Sequence, residues 1–264
     1  MRISAALACH NEEAFIQAWL EKTSAYADEI LIAVHAPTDS TADIISKFKS
    51  ISTVPIHCEW FPSETVARFG FSLMKNEMIA QASCDWITSI DADEEIGLTP
   101  DELRDELARA TRLGKSDVRL QWAEHRDPHC RQNNSTIDYR KSHLQCEPSI
   151  QKRKVFRNHF GYWWYGLIHE EIKRPGETAG RCSLNLGAKL HHHAFINASN
   201  AEWKQPLYDY LICRIVDFPH LRAGTNAWWY EAGFKENEAA IRQNATLFLS
   251  KQREWFPPIP SRTI

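Results

Sequence analysis

The sequence predicts an α/β fold in which a mostly parallel sheet is flanked by helices, followed by a C-terminal helical extension. Through residues 1–98, short apolar runs alternate with stretches of helical periodicity. This alternation is typical of a parallel sheet, because parallel neighbours must be joined by a crossover segment, usually a helix. Polar clusters also follow several of the apolar runs, at the edge where open α/β sheets bind their ligands.

Local patterns define the elements of this first half. The run from Ile3 to Cys9 is almost entirely apolar, as expected of a buried parallel strand. Ile16, Trp19 and Leu20 recur at helical spacing. The predicted elements, in chain order, are strand 3–9, helix 12–25, strand 29–34, helix 41–48, strand 55–60, helix 72–82 and strand 86–90.

The second half is less regular. Thr99-Pro100-Asp101-Glu102 marks a helix start, because Thr is a good cap and Pro fits the first turn. Residues 124–147 are polar and are interpreted as an irregular segment. The other predicted elements are helix 101–112, strands 117–122, 152–156 and 168–172, and helices 200–218 and 228–254.

Composition excludes several classes of protein. Of the 264 residues, 43% are hydrophobic and 25% charged, which predicts an ordinary globular core. A net charge of -3 without a basic run argues against nucleic acid as a partner. Seven scattered Cys without a Cys-x-x-Cys pair fit reduced thiols. The N-terminal apolar stretch is too short for a signal peptide, and no run approaches the roughly 20 apolar residues of a membrane span, so we expect a cytoplasmic location.

The segment with the most chemical information joins an apolar strand to a group of acids. Trp86 to Ile90 runs directly into Asp91-Ala92-Asp93-Glu94-Glu95. Two carboxylates one residue apart at a strand end can bind Mg²⁺ or Mn²⁺, which prefer oxygen ligands. The alternative is an acidic loop that leads into the next helix. Asn11 and Thr38 to Thr41 follow two neighbouring strands, so three polar clusters are predicted to meet at one edge, and this favours the metal site.

Several segments together resemble glycosyltransferase family 2. The later ones resemble a branch that builds bacterial lipopolysaccharide cores and related surface glycans. In chain order the segments are Ala8 to Glu13, Asp28 to Ile32 with Thr38 to Thr41, Lys75-Asn76, Asp85 to Glu94, Lys154 to Arg157, Gly166 to Glu170, and Leu190 to Phe195.

The resemblance implies a GT-A-like fold and transfer of a sugar from a nucleotide-sugar, with inversion, to a hydroxyl of a glycan or lipid-linked acceptor. It divides the chain into a nucleotide-sugar-binding half at 1–98, an acceptor half at 99–198 and a C-terminal helical extension at 199–264. One position departs from the family, which usually carries an Asp at the end of the second strand to read the nucleobase. Val34 and His35 stand there, so His35 or backbone groups would bind the base, and UDP is the first choice of nucleotide.

Metal and donor roles follow from the same resemblance. Asp93 is the expected direct metal ligand, and Asp91 would contact the ribose or reach the metal through water. Of the triplet at 191–193, the family strand favours His191 or His193 over His192 as a further ligand for Mn²⁺ or Mg²⁺, while a structural role is the alternative. The remaining expected donor contacts are Asn11, Glu13, Lys75 and His169; for Lys75 a solvated helix position is an equal alternative.

Inversion by direct displacement needs a base for the proton of the acceptor hydroxyl. The motif implies Glu170, with Glu171 as runner-up; the alternative is that Glu170 pairs with Lys173 or Arg174 on an exposed edge.

Two aromatic clusters have less certain roles. Trp163, Trp164 and Tyr165 could form a stacking platform for the acceptor or pack in the core. Trp228-Trp229-Tyr230 opens the last helix, for which a lid, a dimer face and a peripheral membrane contact are alternatives. Two competing functions also stay open: a metal-dependent hydrolase or nucleotidyltransferase, and a catalytically inactive nucleotide- or sugar-binding domain.

Overall fold

The computed structural model describes residues 1–125, 144–168, 170–176, 181–193, 200–222 and 227–257. Its strands and helices, in chain order, are β1 Ile3–Cys9, α1 Ile16–Ser24, β2 Glu29–His35, α2 Thr41–Ile51, β3 Ile56–Phe61, α3 Thr65–Phe69, α4 Ser72–Gln81, β4 Trp86–Thr88, β5 Glu94–Ile96, α5 Pro100–Arg112, β6 Asp117–His125, β7 Leu144–Arg157, β8 Trp163–Tyr165, β9 Glu171–Lys173, β10 Ser183–His192, α6 Asn200–Asp217 and α7 Ala227–Trp255, with a 3-10 turn at Pro219–Arg222 between the last two helices.

A single eight-stranded sheet forms the centre of the molecule, in the order β3-β2-β1-β4-β7-β6-β10-β5. The first four of these strands are parallel, as the βαβ pattern predicts, and β7 then joins β4 in the antiparallel direction. A separate pair, β8 and β9, is antiparallel. The prediction of a mixed α/β fold with a large sheet, flanking helices and C-terminal helices is therefore confirmed.

Two predictions about the second half are wrong. The predicted strand 168–172 is replaced by β9, which begins only at Glu171, because its pairing partner is the short strand β8. The segment 124–147 was expected to be irregular, yet β7 already begins at Leu144; residues 126–143 lie outside the described part. The pattern also missed the short elements α3, β5 and β8, which are three to five residues long, and most of the ten-residue strand β10, of which only the His-rich end was expected.

Each face of the sheet buries its own apolar cluster. One cluster joins β1 and β2 side chains such as Leu7 and Ile30 to helices α1 and α5. The other joins Leu31 and Phe156 to Leu207 of α6 and Phe248 of α7. The C-terminal helices thus share a core with the sheet, while the division at residue 198 stays a prediction.

The predicted start of α5 is confirmed by a complete capping box. The Thr99 side chain accepts from the backbone N–H of Glu102 at 3.3 Å, and the Glu102 carboxylate accepts from the Thr99 N–H at 2.8 Å. This fixes the chain just after the acidic turn. No helix among the described residues combines the length and the apolar character needed to cross a membrane.

Candidate active site

The loops after β1 and β2 are joined to each other at the carboxyl edge of the sheet. The Asn11 amide donates to Thr38 Oγ1 at 2.7 Å, and its carbonyl oxygen accepts from the Thr38 N–H at 2.7 Å. Glu13 accepts from the N–H of Ser40 at 3.1 Å, while its own N–H donates to Asp39 at 3.0 Å. Two of the three predicted polar clusters, those after β1 and β2, therefore meet. In this structure Asn11 and Glu13 hold the backbone of the loop after β2 through the N–H groups of Thr38 and Ser40.

The third cluster is organised by two lysines around Asp91. Lys75 of α4 places Nζ 2.9 Å from Asp91 Oδ1, and Lys154 of β7 places Nζ 2.8 Å from Asp91 Oδ2. Lys154 also lies 2.9 Å from Glu94, whose side chain is only 2% exposed. Glu94 in turn accepts from the N–H of Asp91 at 2.8 Å, which holds the turn between β4 and β5 closed.

The charges in this network stabilise one another. Burial by itself would raise the pKa of the Asp91 carboxyl, but the ammonium groups of Lys154 and Lys75 outweigh it and hold the pKa below its usual range. Burial would likewise lower the pKa of Lys75, yet Asp91 and Glu170 raise it above the usual lysine range. Lys75 is 7% exposed, so the alternative of a solvated helix position is wrong.

Trp164 forms the floor of the network. Its ring lies 4.4 Å from the Lys75 ammonium and 5.1 Å from that of Lys154, and its indole N–H donates to Ser89 at 3.2 Å. Asn76 fixes β8 by bonding both the N–H and the carbonyl of Trp164. Trp164 is therefore buried beneath the charged groups, whereas the neighbouring Trp163 is 40% exposed.

Glu170 faces the same lysine from the other side. Its Oε2 lies 3.7 Å from Lys75 Nζ, and the side chain is 12% exposed. Glu171, the runner-up, is 41% exposed and pairs with Lys173 at 3.1 Å. The exposed ion pair considered for Glu170 is thus made by Glu171, and Glu170 belongs to the cluster with Asp91.

Asp93 occupies the turn beside the end of β10. Its backbone carbonyl accepts from the N–H of His193 at 2.8 Å, and its Oδ2 lies 3.6 Å from His192 Nε2. The family strand favoured His191 or His193, but the structure brings the side chain of His192 to this carboxylate. His191 is packed against Gly97, where an added Cβ would lie 2.9 Å from its Nε2, and the side chain of His193 is 3% exposed.

The structure buries His35 instead of presenting it in a cleft. Its side chain is 0% exposed, and its Nε2 lies 3.2 Å from the carbonyl oxygen of Ser63. The rings of His10 and Phe256 pack against it at 5.5 and 5.1 Å. Burial, with a contribution from His10, lowers the pKa of His35 to about 3. Contact between His35 and a nucleobase would therefore require Phe256 to move.

Two predictions fall outside the described part. His169 is not among the described residues, and the same holds for the side chains of Trp228, Trp229 and Tyr230, although α7 begins at Ala227 as the pattern indicated.

The sequence reasoning missed several residues of the site. In the sequence, Lys154 stands out only as part of the segment Lys154 to Arg157. The alternation of side chains along β7 is the signal that could have indicated the face on which it meets Trp164. Helix α6 adds two further groups. Burial raises the pKa of Tyr208 to about 12, and although burial lowers that of Lys204, Tyr208, Asp93 and Glu12 raise it above the usual range. No local motif marked these two positions.

Chemically, the cluster places two lysine ammonium groups against the Asp91 carboxylate, whose lowered pKa favours its ionised form. Lysine ammonium groups can bind and stabilise a phosphate-bearing group, and a carboxylate on the far side can accept a proton. Among the described residues no group of three or more His, Cys, Asp or Glu is arranged to hold a metal ion. Asp93 and His192 nonetheless offer an oxygen and a nitrogen donor within 3.6 Å of each other.

Comparisons with known proteins place this site in context. The structure is similar to Staphylococcus aureus TarS 1–349 (TM-score 0.47, 14% identity, 97% of this chain and 73% of that one) and to the same protein in complex with UDP-GlcNAc (0.39, 17%, 47% and 35%). It is also similar to Mycobacterium tuberculosis glucosyl-3-phosphoglycerate synthase in complex with Mg²⁺ and UDP (0.35, 20%, 46% and 43%).

In the first of the complexes the chain spans about a third of its neighbour's length. No curated protein sequence matches it. The sequence model of glycosyl transferase family 2 matches residues 4–167, which include β1 through β8 and therefore Lys75, Asp91, Lys154 and Trp164. The chain belongs to glycosyl transferase family 2.

Proposed function

We propose that this protein is an inverting glycosyltransferase that moves a sugar from a nucleotide-sugar, with UDP as first choice, to a hydroxyl of a glycan or glycolipid of the bacterial surface. The observation that carries the proposal is the Lys75 ammonium between two carboxylates, 2.9 Å from Asp91 and 3.7 Å from Glu170. This arrangement places an ammonium group that can offset charge on a leaving group beside a carboxylate that can act as base.

The chain's own residues divide the reaction between them. Glu170 accepts the proton of the acceptor hydroxyl as its oxygen attacks the anomeric carbon. The bond from that carbon to the diphosphate breaks, and the nucleoside diphosphate leaves with the electron pair. Lys75 remains protonated because its carboxylate neighbours raise its pKa, so it can offset the charge that develops on the leaving group. Attack opposite to the leaving group gives inversion.

A divalent ion fits this donor set. Mg²⁺ is commonly held by one or two carboxylates together with substrate phosphates, and imidazole is an ordinary ligand for Mn²⁺. We assign the ion to Asp93 and His192, with His191 and His193 as the alternatives that the sequence favours. When bound, the ion would stabilise negative charge on the diphosphate. Asp91 already receives two ammonium groups, so it is better suited to orient the turn and the ribose than to bind metal directly.

The first experiment is a thermal-shift panel of nucleoside diphosphates and nucleotide-sugars with Mn²⁺, Mg²⁺ or EDTA. A ligand that binds only the folded state raises the melting temperature by mass action. We expect a metal-dependent shift with one diphosphate, strongest for UDP, and its loss in Asp93→Asn. Asp105→Asn is the matched control, because Asp105 is an exposed aspartate in the middle of α5.

Absence of a shift with every nucleotide would instead support an inactive or repurposed domain. A shift that persists in EDTA would remove the metal from the proposal but leave the transfer reaction standing. Location at the inner face of the membrane, the lipopolysaccharide-core branch and dimer formation through the last helix stay predictions.

A further inference from the structure

A second cavity lies at the opposite edge of the sheet from the candidate active site. Its volume is about 300 Å³, and its lining includes Arg157, His159, Tyr162 and Trp163. The register places it: Arg157 pairs with Trp86, the first residue of β4, whereas the carbonyl of Lys154 accepts from Ser89 just beyond the end of β4. The two sites therefore lie at opposite ends of one short strand.

Arg157 supplies a cation that has no acceptor in this part of the structure. Its side chain is half-buried, its Nε is shielded from solvent without a hydrogen-bond partner, and no carboxylate of the described residues lies within ion-pair distance. The guanidinium instead lies 4.5 Å from the ring centre of Phe160. By contrast, the guanidinium of Arg174, the residue that follows β9, donates to the hydroxyl of Ser116 at 3.0 Å. A partly buried cation without an acceptor is costly, so an anion in the cavity would be stabilised.

Trp163 supplies a flat apolar surface beside this cation. Successive residues of a strand point to opposite faces, so Trp163 points away from the cluster that Trp164 supports. The Trp163 side chain is 40% exposed, which leaves part of the indole free for stacking. Aromatic faces pack well against the C–H faces of sugar rings, and a cavity of this volume is at the lower end of the range for small-ligand sites.

We propose that this cavity binds a saccharide that carries a carboxylate or a phosphate. Arg157 contacts the acidic group through its planar guanidinium, and Trp163 stacks on the sugar ring. The site would hold an acidic sugar unit at a distance from the reacting hydroxyl, and its existence does not depend on the proposed transfer reaction.

The test measures binding by isothermal titration calorimetry on the full chain, with glucuronate, glucose 6-phosphate, glucose and inorganic phosphate as probes. The two acidic sugars are expected to bind at least tenfold more tightly than glucose or phosphate. Comparison of glucuronate with glucose 6-phosphate shows whether the cavity prefers a carboxylate or a phosphate on the sugar. Arg157→Gln should remove the preference for acidic sugars. Trp163→Ala, at a position that is 40% exposed, should weaken binding of all three sugars and leave phosphate binding unchanged.

Arg112→Gln is the matched control, since Arg112 is exposed in the last turn of α5. Melting temperatures establish that each variant is folded. Equal affinities in wild type and both cavity variants would overturn the proposal, as would absence of binding by either acidic sugar. Phosphate binding that equals that of glucose 6-phosphate would reduce the cavity to an anion site and overturn the saccharide assignment.

Discussion

The Nζ atom of Lys75 lies 2.9 Å from Oδ1 of Asp91, and the Lys75 side chain is 7% exposed whereas that of Asp91 is 37% exposed. Lys75 is held by α4, whereas Asp91 belongs to the turn that follows β4. Lys154 contacts the second oxygen of the same carboxylate, and Glu170 approaches Lys75 from the other side. The site is therefore an alternating row of charges, in which Asp91 and Lys75 each have two partners and Glu94 at one end is paired with Lys154.

Lys154→Met is expected to destabilise the fold. The substitution leaves Glu94, 2% exposed, without its ammonium partner, and breaking a buried ion pair typically costs about 3–5 kcal/mol. Urea denaturation at pH 7 measures the change. Lys251→Met is the control, because Lys251 pairs with Glu254 on the exposed face of α7 and should shift stability by less than about 0.5 kcal/mol. Equal effects of the two variants would contradict the role given to Lys154.

Glu170→Gln is expected to lower the transfer rate by about 10²- to 10⁴-fold, the usual contribution of a general base. Donor binding in the thermal-shift assay should be retained, because the amide keeps the shape of the carboxylate. Glu171→Gln is a closely matched control: it changes the adjacent carboxylate, which is exposed and pairs with Lys173. If both variants keep the full rate, the base lies elsewhere.

The histidine pair at the ends of β1 and β2 predicts a loss of stability in weak acid. Burial lowers the pKa of His10 to about 4, and burial together with His10 lowers that of His35 to about 3. Above about pH 6.5 both residues are neutral in the folded and unfolded chains, so no difference arises. Below it the unfolded chain binds protons that the folded chain does not, and the free energy of unfolding falls by about 1.4 kcal/mol per pH unit for each histidine.

Denaturation between pH 7 and 5 checks this expectation. His10→Asn keeps a donor for the carbonyl of His35, which His10 Nδ1 contacts at 2.7 Å, and should remove about half of the slope. His57→Asn, at an exposed position of β3, should leave the slope unchanged. A slope that is the same in His10→Asn and wild type would show that folding does not lower the pKa of His10.

Thr99→Ala is expected to cost about 1 kcal/mol, because it removes the side-chain cap of α5 and the hydroxyl that Glu102 contacts. Ser40→Ala provides the comparison, since Ser40 precedes α2 in the same type of position but makes no side-chain capping bond. The midpoint of urea unfolding should move clearly for the first variant and little for the second. A larger effect at Ser40 would contradict the capping assignment.

Elements with a strong local pattern could be predicted from the sequence, whereas the shortest elements and most of β10 could not. The strands β1 and β2 and the helix α5 follow from continuous apolar runs, helical spacing and a capping box, all of which act within the element itself. In contrast β5 and β8 have three residues each, and each exists through pairing with a strand far away or after a turn, β10 and β9. A three-residue strand is too short to show a hydrophobic periodicity. For this reason the strand predicted at 168–172 does not match β9, which spans Glu171–Lys173.

The same distinction holds for the site. The resemblance to the family indicated Lys75, Asp91, Asp93 and Glu170 one by one, and Asp91 and Asp93 also follow a predicted strand. The sequence patterns did not show that Lys154 neutralises Asp91 and Glu94, that Glu171 turns outward to Lys173, or that Phe256 covers His35. The contacts of Lys154 and Phe256 join residues that are 60 or more positions apart, and the outward turn of Glu171 depends on how β9 pairs with β8.

By itself the sequence determined the α/β class, the parallel first half of the sheet and the identity of most charged groups at its carboxyl edge. Local propensity and hydrophobic periodicity are properties of neighbouring residues, so they can be read without the fold. Only the tertiary structure decided which ammonium meets which carboxylate, which tryptophan lies beneath them and which histidine reaches Asp93. Those outcomes depend on sheet order and on the packing of α4, α6 and β7. The reason is that the strength of an electrostatic interaction depends on the distance between two groups in space, and not on their separation along the chain.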